Sequence, residues 1–174
     1  WQEMPKDIQW HMIGHVQTNK VKFMAKYVSL IHGVDSLKLL QEINKQAQKH
    51  NRVIDCLLQI YIAEEESKFG LDEEELDEIL KQVQNDNSDL KNIRIVGLMG
   101  MATFTDNQTQ IKKEFDNLKT IFDKINADAI GKDSINRVSI LSMGMSGDYK
   151  LAIECGSTMV RIGSSIFGNR TYQI

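Results

Sequence analysis

The 174-residue chain contains a single proline, Pro5, and no Ser/Gly-rich stretch, so nothing in it reads as a linker between two domains. It has no apolar run near the roughly 18 residues that a membrane span requires. Its opening residues, WQEMPKDIQW, have neither the basic flank nor the apolar stretch of a secretion signal. A basic block is also missing. Lys and Arg number 21 against 24 Asp and Glu, a net charge of −3 spread along the chain, which argues against long-range attraction to nucleic acid or an anionic membrane. The only two cysteines, Cys56 and Cys155, sit in apolar surroundings (VIDCLLQI and AIECGS) with no CxxC and no histidine cluster. They read as reduced, buried thiols. What remains is the expectation of a soluble, cytoplasmic protein of one domain over residues 1–174, its core drawn from 41% apolar residues.

Short apolar runs alternate with stretches of helical period, the pattern of an α/β fold with a parallel sheet. The runs are QWHMIG (9–14), SLIHGV (29–34), VIDCLLQIYI (53–62), IRIVGLM (93–99), RVSILSM (137–143) and TMVRIG (158–163). A helix is expected over about 18–28, with Val21, Met24, Ala25 and Val28 on one side. A second starts at Asp35 or Ser36 as N-cap and carries Leu37, Leu40, Ile43 and Ala47. A third begins near Asp72, where Asp72 and Glu75 have capping-box spacing and Leu76, Ile79, Leu80 and Val83 follow the helical repeat. A fourth, over 107–126, buries Ile111, Phe115, Leu118, Phe122 and Ile125. A short fifth ends at Gly156, and an SSIF turn and a tail follow the last run. The acidic EEES and DEEELDE segments could suggest a metal site or an interaction tail, but carboxylates suit the positive end of a helix, and a solvated helix start is the simpler reading.

Ligands of parallel α/β folds bind beyond the carboxyl ends of the strands. Two loops there combine glycine with hydroxyl residues: Ser142-Met143-Gly144-Met145-Ser146-Gly147-Asp148 and Arg161-Ile162-Gly163-Ser164-Ser165. Backbone N–H groups at such turns can meet a phosphate, and barrel enzymes commonly hold one at their last two loops. Taken singly, either could be no more than a turn. Arg161 lies inside an apolar run, where an unpaired guanidinium is costly, so it serves either a ligand or a structural salt bridge with a carboxylate.

WHMIGHVQTNK (10–20), LIHGVDS (30–36), LLQIYIAEEESKFGL (57–71), GLMGMATF (97–104), LSMGMSGDYKLAI (141–153) and GSTMVRIGSSIFG (156–168) resemble, in order and spacing, the blocks of the pyridoxal 5′-phosphate (PLP) homeostasis family. That family is similar to the N-terminal barrel of alanine racemase. The resemblance implies a (β/α)₈ barrel of PLP fold type III, with only six of its βα units present here. The implied function is carriage or regulation of PLP, a form of vitamin B6, without established catalysis. The alternative is a fold-type III PLP enzyme such as an amino-acid racemase, and a third reading is a phosphate-ligand barrel enzyme unrelated to PLP. The resemblance further implies that Ser142 and Gly144 of the SMGMS block, with Gly163 and Ser164 of the RIGSS block, hold the PLP phosphate, and that Arg161 faces the pyridine nitrogen. Lys68 and Met99 would line the ring, with His15 and Gln17 near its mouth. Each of these four also has a plain reading: a solvent-facing lysine, a core methionine and hydrogen-bonded strand-end groups.

No block before Trp1 matches the family's strand bearing the Schiff-base lysine, and Lys20, Lys22 and Lys68 fall in blocks that match other positions. The expectation is therefore that these residues alone could not hold PLP covalently in the family manner. A further expectation is roughly 50–80 preceding residues, judged from two βα units of about 30 residues each plus a possible leading helix. The expected partners are PLP and PLP-dependent apoenzymes, with no nucleic acid or membrane, and the expected state is a monomer.

Overall fold

A computed structural model describes residues 1–65, 68–85, 88–128 and 138–168. Six strands form one sheet in chain order: β1 (Trp10–Met12), β2 (Val28–Val34), β3 (Ile54–Gln59), β4 (Ile93–Met99), β5 (Ile140–Met145) and β6 (Met159–Arg161). Every neighbouring pair is parallel. The connecting helices are α1 (Val21–Met24), α2 (Leu37–Lys49), α3 (Glu73–Gln84), α4 (Gln108–Asp128) and α5 (Tyr149–Glu154), and α6 (Ser164–Phe167) follows β6. Parallel strands in unbroken sequential order, each linked by a helix, make a curled sheet of (β/α)₈-barrel type.

The two faces of the sheet differ, as strand alternation requires. Ile31, Cys56, Leu58, Leu98, Leu141 and Met143 face the helices and join the main core with Leu40, Ile43, Phe115 and Leu118. The opposite, concave face carries a small cluster of Leu30, Leu57 and Met99, packed by Val96, Ile140 and Met159. Asp55, in register with Leu30 and Arg94, binds Arg94 in a bidentate pair on this face.

Both expected helix caps form. The Ser36 hydroxyl accepts the Leu39 N–H, and Asp72 with Glu75 makes a reciprocal capping box. The fourth run, 93–99, is the strand expected. Other boundaries differ. The helix expected over 18–28 is a 3₁₀ turn (Thr18–Lys20) and one turn of α1, because Val28 already belongs to β2 and Ala25–Tyr27 must turn the chain. The third run was expected to be a strand to residue 62, but β3 ends at Gln59. Ile60 and Ile62 are buried because the following loop folds back: Ile60 bridges Leu71, and the Leu71 N–H donates to the Gln59 carbonyl. Glu64 and Glu65 sit in that loop rather than at a helix start. The fifth run becomes a strand at Ile140–Met145. Its first residue, Arg137, together with Glu66, Ser67 and the tail at 169–174, lies outside the described residues.

Cys56 and Cys155 are both free and buried. Burial raises the pKa of each thiol, so neither is poised as a thiolate nucleophile. Among the described residues no helix is long and apolar enough to cross a membrane, and no three His, Cys, Asp or Glu side chains gather as a metal site would need.

Candidate ligand-binding site

The polar groups of the concave face collect at the carboxyl ends of the strands. Gln59, Met99 and Ser142 share one row, since Gln59 pairs with Met99 and Met99 with Ser142. Gln59 is buried and donates to the Phe69 carbonyl at 2.6 Å, tying the β3 loop down. Met99, 1% exposed, belongs to the apolar floor.

Arg161, on β6, reaches its half-buried guanidinium into this row. Its Nη1 donates to the Ser142 carbonyl at 2.9 Å and to Ser142 Oγ at 2.7 Å, and its Nη2 donates to the Gly100 carbonyl at 3.1 Å. All three acceptors are neutral. Among the described residues no carboxylate forms an ion pair with it, so the structural salt bridge considered from the sequence is absent there. Burial pulls its pKa down to about 10, with Asp148 acting more weakly in the opposite sense, so the guanidinium stays charged at neutral pH. Three of its five N–H bonds are committed. The Nε–H and one Nη2–H have no acceptor among the described residues. A half-buried cation with donors to spare and, among the described residues, no carboxylate in direct contact is suited to an acceptor from outside the chain.

The loops after β5 and β6 meet through one hydroxyl. Ser146 Oγ accepts the Gly163 N–H at 3.1 Å and the Ser165 N–H at 3.3 Å. The β5 loop is closed by Asp148, whose carboxylate accepts the Met145 N–H at 2.6 Å while its own N–H donates to the Met145 carbonyl. A Cβ placed on Gly147 or Gly163 would meet no atom within 4 Å, so open space lies against both backbones. A cleft of about 450 Å³ borders Ser146, Gly147, Lys150 and Ser165. The Gly163 and Ser165 N–H groups are taken up by Ser146 Oγ, so an oxyanion would meet them only by displacing that hydroxyl, and it would find Lys150 and the Asp148 carboxylate on the same cleft.

The structure sorts the residues expected from the sequence. It brings Arg161 together with Ser142, which is fully buried, and it gives Gly163 to Ser146 instead. Ser164 is exposed at the start of α6 beside this cleft. Gly144 has φ +94°, and a Cβ there would strike Ala152 and Tyr149, so glycine at this position lets α5 lie close against β5. Lys68 forms an ion pair with Glu65 at 3.5 Å. His15 pairs with Asp35 at 3.2 Å and meets the Phe69 ring edge-on at 4.9 Å, and Gln17 precedes the 3₁₀ turn, both at the exposed rim. The sequence reading missed Ser146, although it lies inside the SMGMSGD block. It also missed His32, 1% exposed, whose Nδ1 lies 3.4 Å from Ser142 Oγ.

Parallel strands in chain order, with glycine- and serine-rich loops and a half-buried arginine at the carboxyl ends of the last two, define a chain of the (β/α)₈-barrel class. The chain belongs to the alanine racemase N-terminal domain family, whose model matches residues 3–171, and within it to the pyridoxal phosphate homeostasis proteins. It is 37% identical over 166 residues to the pyridoxal phosphate homeostasis protein of Aquifex aeolicus, covering 95% of this chain and 69% of that protein. PipY of Synechococcus elongatus, solved without PLP, matches with a TM-score of 0.84 and 29% identity over 96% of this chain and 74% of its own. PipY has also been solved with PLP bound, and that form matches at a TM-score of 0.78. Alanine racemase of Clostridium difficile, at 18% identity and a TM-score of 0.67, covers 96% of this chain but only 42% of its own, and shares the fold. The chain thus spans about two thirds to three quarters of the homeostasis relatives it matches.

Proposed function

We propose that this chain supplies the phosphate- and ring-nitrogen-reading part of a PLP-binding protein that carries or regulates the cofactor. The observation that carries the reading is Arg161: a half-buried guanidinium that, among the described residues, pairs with no carboxylate and keeps N–H donors beside the two glycine- and serine-rich loops. The residues present fit the group. Ser146, Gly163 and Ser165, with Ser164 alongside, would hold the phosphate. Arg161, steadied by Ser142 and Gly100, would donate to the pyridine nitrogen. Met99 would lie under the ring, with Lys68 and His15 toward the mouth.

When bound in an enzyme, PLP supplies an electron sink for carbanions at an amino acid's α-carbon. A guanidinium has no acceptor and stays charged, so a ring nitrogen accepting its hydrogen bond must be unprotonated, which weakens that sink. Binding without turnover follows as the better reading, with PLP-dependent apoenzymes as recipients, in the cytoplasm, from a monomer.

Absorbance or calorimetric titration of the full-length protein with PLP tests the proposal. Binding is expected, and Arg161→Gln should weaken it by about 2 kcal/mol, the scale of one hydrogen bond from a charged donor. A full-length protein that takes up no PLP would end the reading. Incubation with amino acids in deuterated water should leave their α-protons unexchanged, and exchange would point to an enzyme instead.

A further inference from the structure

Four strands contribute to one line of polar side chains across the concave face: His11 on β1, His32 on β2, Ser142 on β5 and Arg161 on β6. His32 Nε2 lies 3.3 Å from His11 Nδ1, His32 Nδ1 lies 3.4 Å from Ser142 Oγ, and Ser142 Oγ lies 2.7 Å from Arg161 Nη1. The direction of every bond follows from the arginine, which can only donate. Ser142 Oγ accepts from Arg161 and still has its own hydrogen to donate, and His32 Nδ1, at 3.4 Å, is the acceptor within reach of it. An imidazole that accepts at Nδ1 and is neutral carries its proton on Nε2. That proton points to His11 Nδ1, which accepts it. The line therefore runs one way, from Arg161 through Ser142 and His32 to His11.

We propose that His32 is a positioning residue for Arg161: by taking the Ser142 hydroxyl proton it turns the serine lone pair toward the guanidinium and so fixes the orientation in which the remaining N–H donors face the ligand. The inference rests on the PLP reading above for the identity of that ligand. Its geometric basis is that three acceptors hold Arg161, two of them belonging to Ser142, and that His32 is the side chain deciding where the Ser142 hydrogen goes. Near-complete burial of His32 fits this role, since an imidazole there is held neutral, with the Arg161 charge adding to the same effect. A protonated His32 would offer an N–H in place of the Nδ1 acceptor, the Ser142 hydrogen would lose its partner, and the one-way line would break.

The test uses the full-length protein as wild type, His32→Leu and His32→Asn, because an asparagine carbonyl oxygen can stand in for the Nδ1 acceptor while leucine cannot. Nitrogen-15 NMR of the ligand-free wild type should show His32 as the Nε2–H tautomer. His32→Leu should weaken PLP binding about tenfold, the loss expected for one hydrogen bond at the site. It should leave the affinity for inorganic phosphate unchanged, because the Ser146 cleft lies outside the line. His32→Asn should recover most of the loss. An Nδ1–H tautomer, wild-type PLP affinity in His32→Leu, or equal weakening for PLP and inorganic phosphate would each overturn the proposal. Should His32→Leu fail to fold, the tautomer and the affinity of His32→Asn decide it. A wild type that shows the Nε2–H tautomer but binds no PLP would bring down the cofactor reading while leaving the line through His32 to Arg161 in place.

Discussion

Glu114, 3% exposed on α4, takes four hydrogen bonds: from the Glu64 and Thr103 backbone N–H groups, the Thr103 hydroxyl and the Gln110 amide. Burial alone would raise its pKa, but the Thr103, Glu64 and Gln110 donors outweigh it and hold the carboxyl below its ordinary value. One ionised side chain thus fastens the loops after β3 and β4, which frame the rim holding Lys68, to the helix behind them. Glutamine is the same size yet offers one acceptor oxygen where donors converge on two, so Glu114→Gln should destabilise the protein by about 2 kcal/mol, read as a lower urea midpoint with an unchanged slope. An unchanged midpoint would mean that the loops are anchored elsewhere. Exposed pairs such as Lys113 with Glu64 should contribute far less, because water screens both partners.

Elements are where local and non-local information separate. The capping box at Asp72 closes within four residues, the Asp72 carboxylate accepting the Glu75 N–H at 2.8 Å and the Glu75 carboxylate accepting the Asp72 N–H at 3.1 Å. Because the motif is local, it was readable in the sequence, and Asp72→Ala should cost about 1 kcal/mol, checked by thermal or urea unfolding. A cost near zero would show that α3 is held by Leu76 and Ile79 in the core rather than by its cap. Strand ends were less readable, since Ile60 and Ile62 look like strand residues but owe their burial to a loop folded back on β3. That the loops after β5 and β6 meet beside Arg161 was legible from glycine, serine and an arginine in an apolar run. The division of labour between Ser142 and Ser146 was not. It depends on the irregular register between β5 and β6, which a single strand's sequence does not record. His32 was illegible for a stronger reason: its partner Ser142 is 110 residues away, and alone it is a histidine on an apolar strand.

At the scale of the whole molecule, burying the His32 imidazole ties stability to pH. The His32 imidazole, ordinarily near 6.5, is pushed down to about 4 by burial first and then by the Arg161 and His11 charges. Between those values an unfolded chain binds a proton that the folded chain refuses, so stability is complete above about pH 6.5 and falls as the pH drops toward 4. The shift corresponds to about 2–3 kcal/mol at the lower end of that window. Glu114 acts with the same sign further down, its depressed carboxyl giving stability that is present above the ordinary value of 4.5 and lost as the pH falls through the folded-state value. Urea midpoints measured from pH 7 downward should decline first between about pH 6.5 and 4, a fall removed by His32→Leu, and further below pH 4.5, a fall removed by Glu114→Gln. If His32→Leu declines as steeply as the wild type between pH 6.5 and 4, the buried histidine is not the group that refuses the proton. The neutral state of His32 beside Arg161 would then need another source than its burial in the sheet.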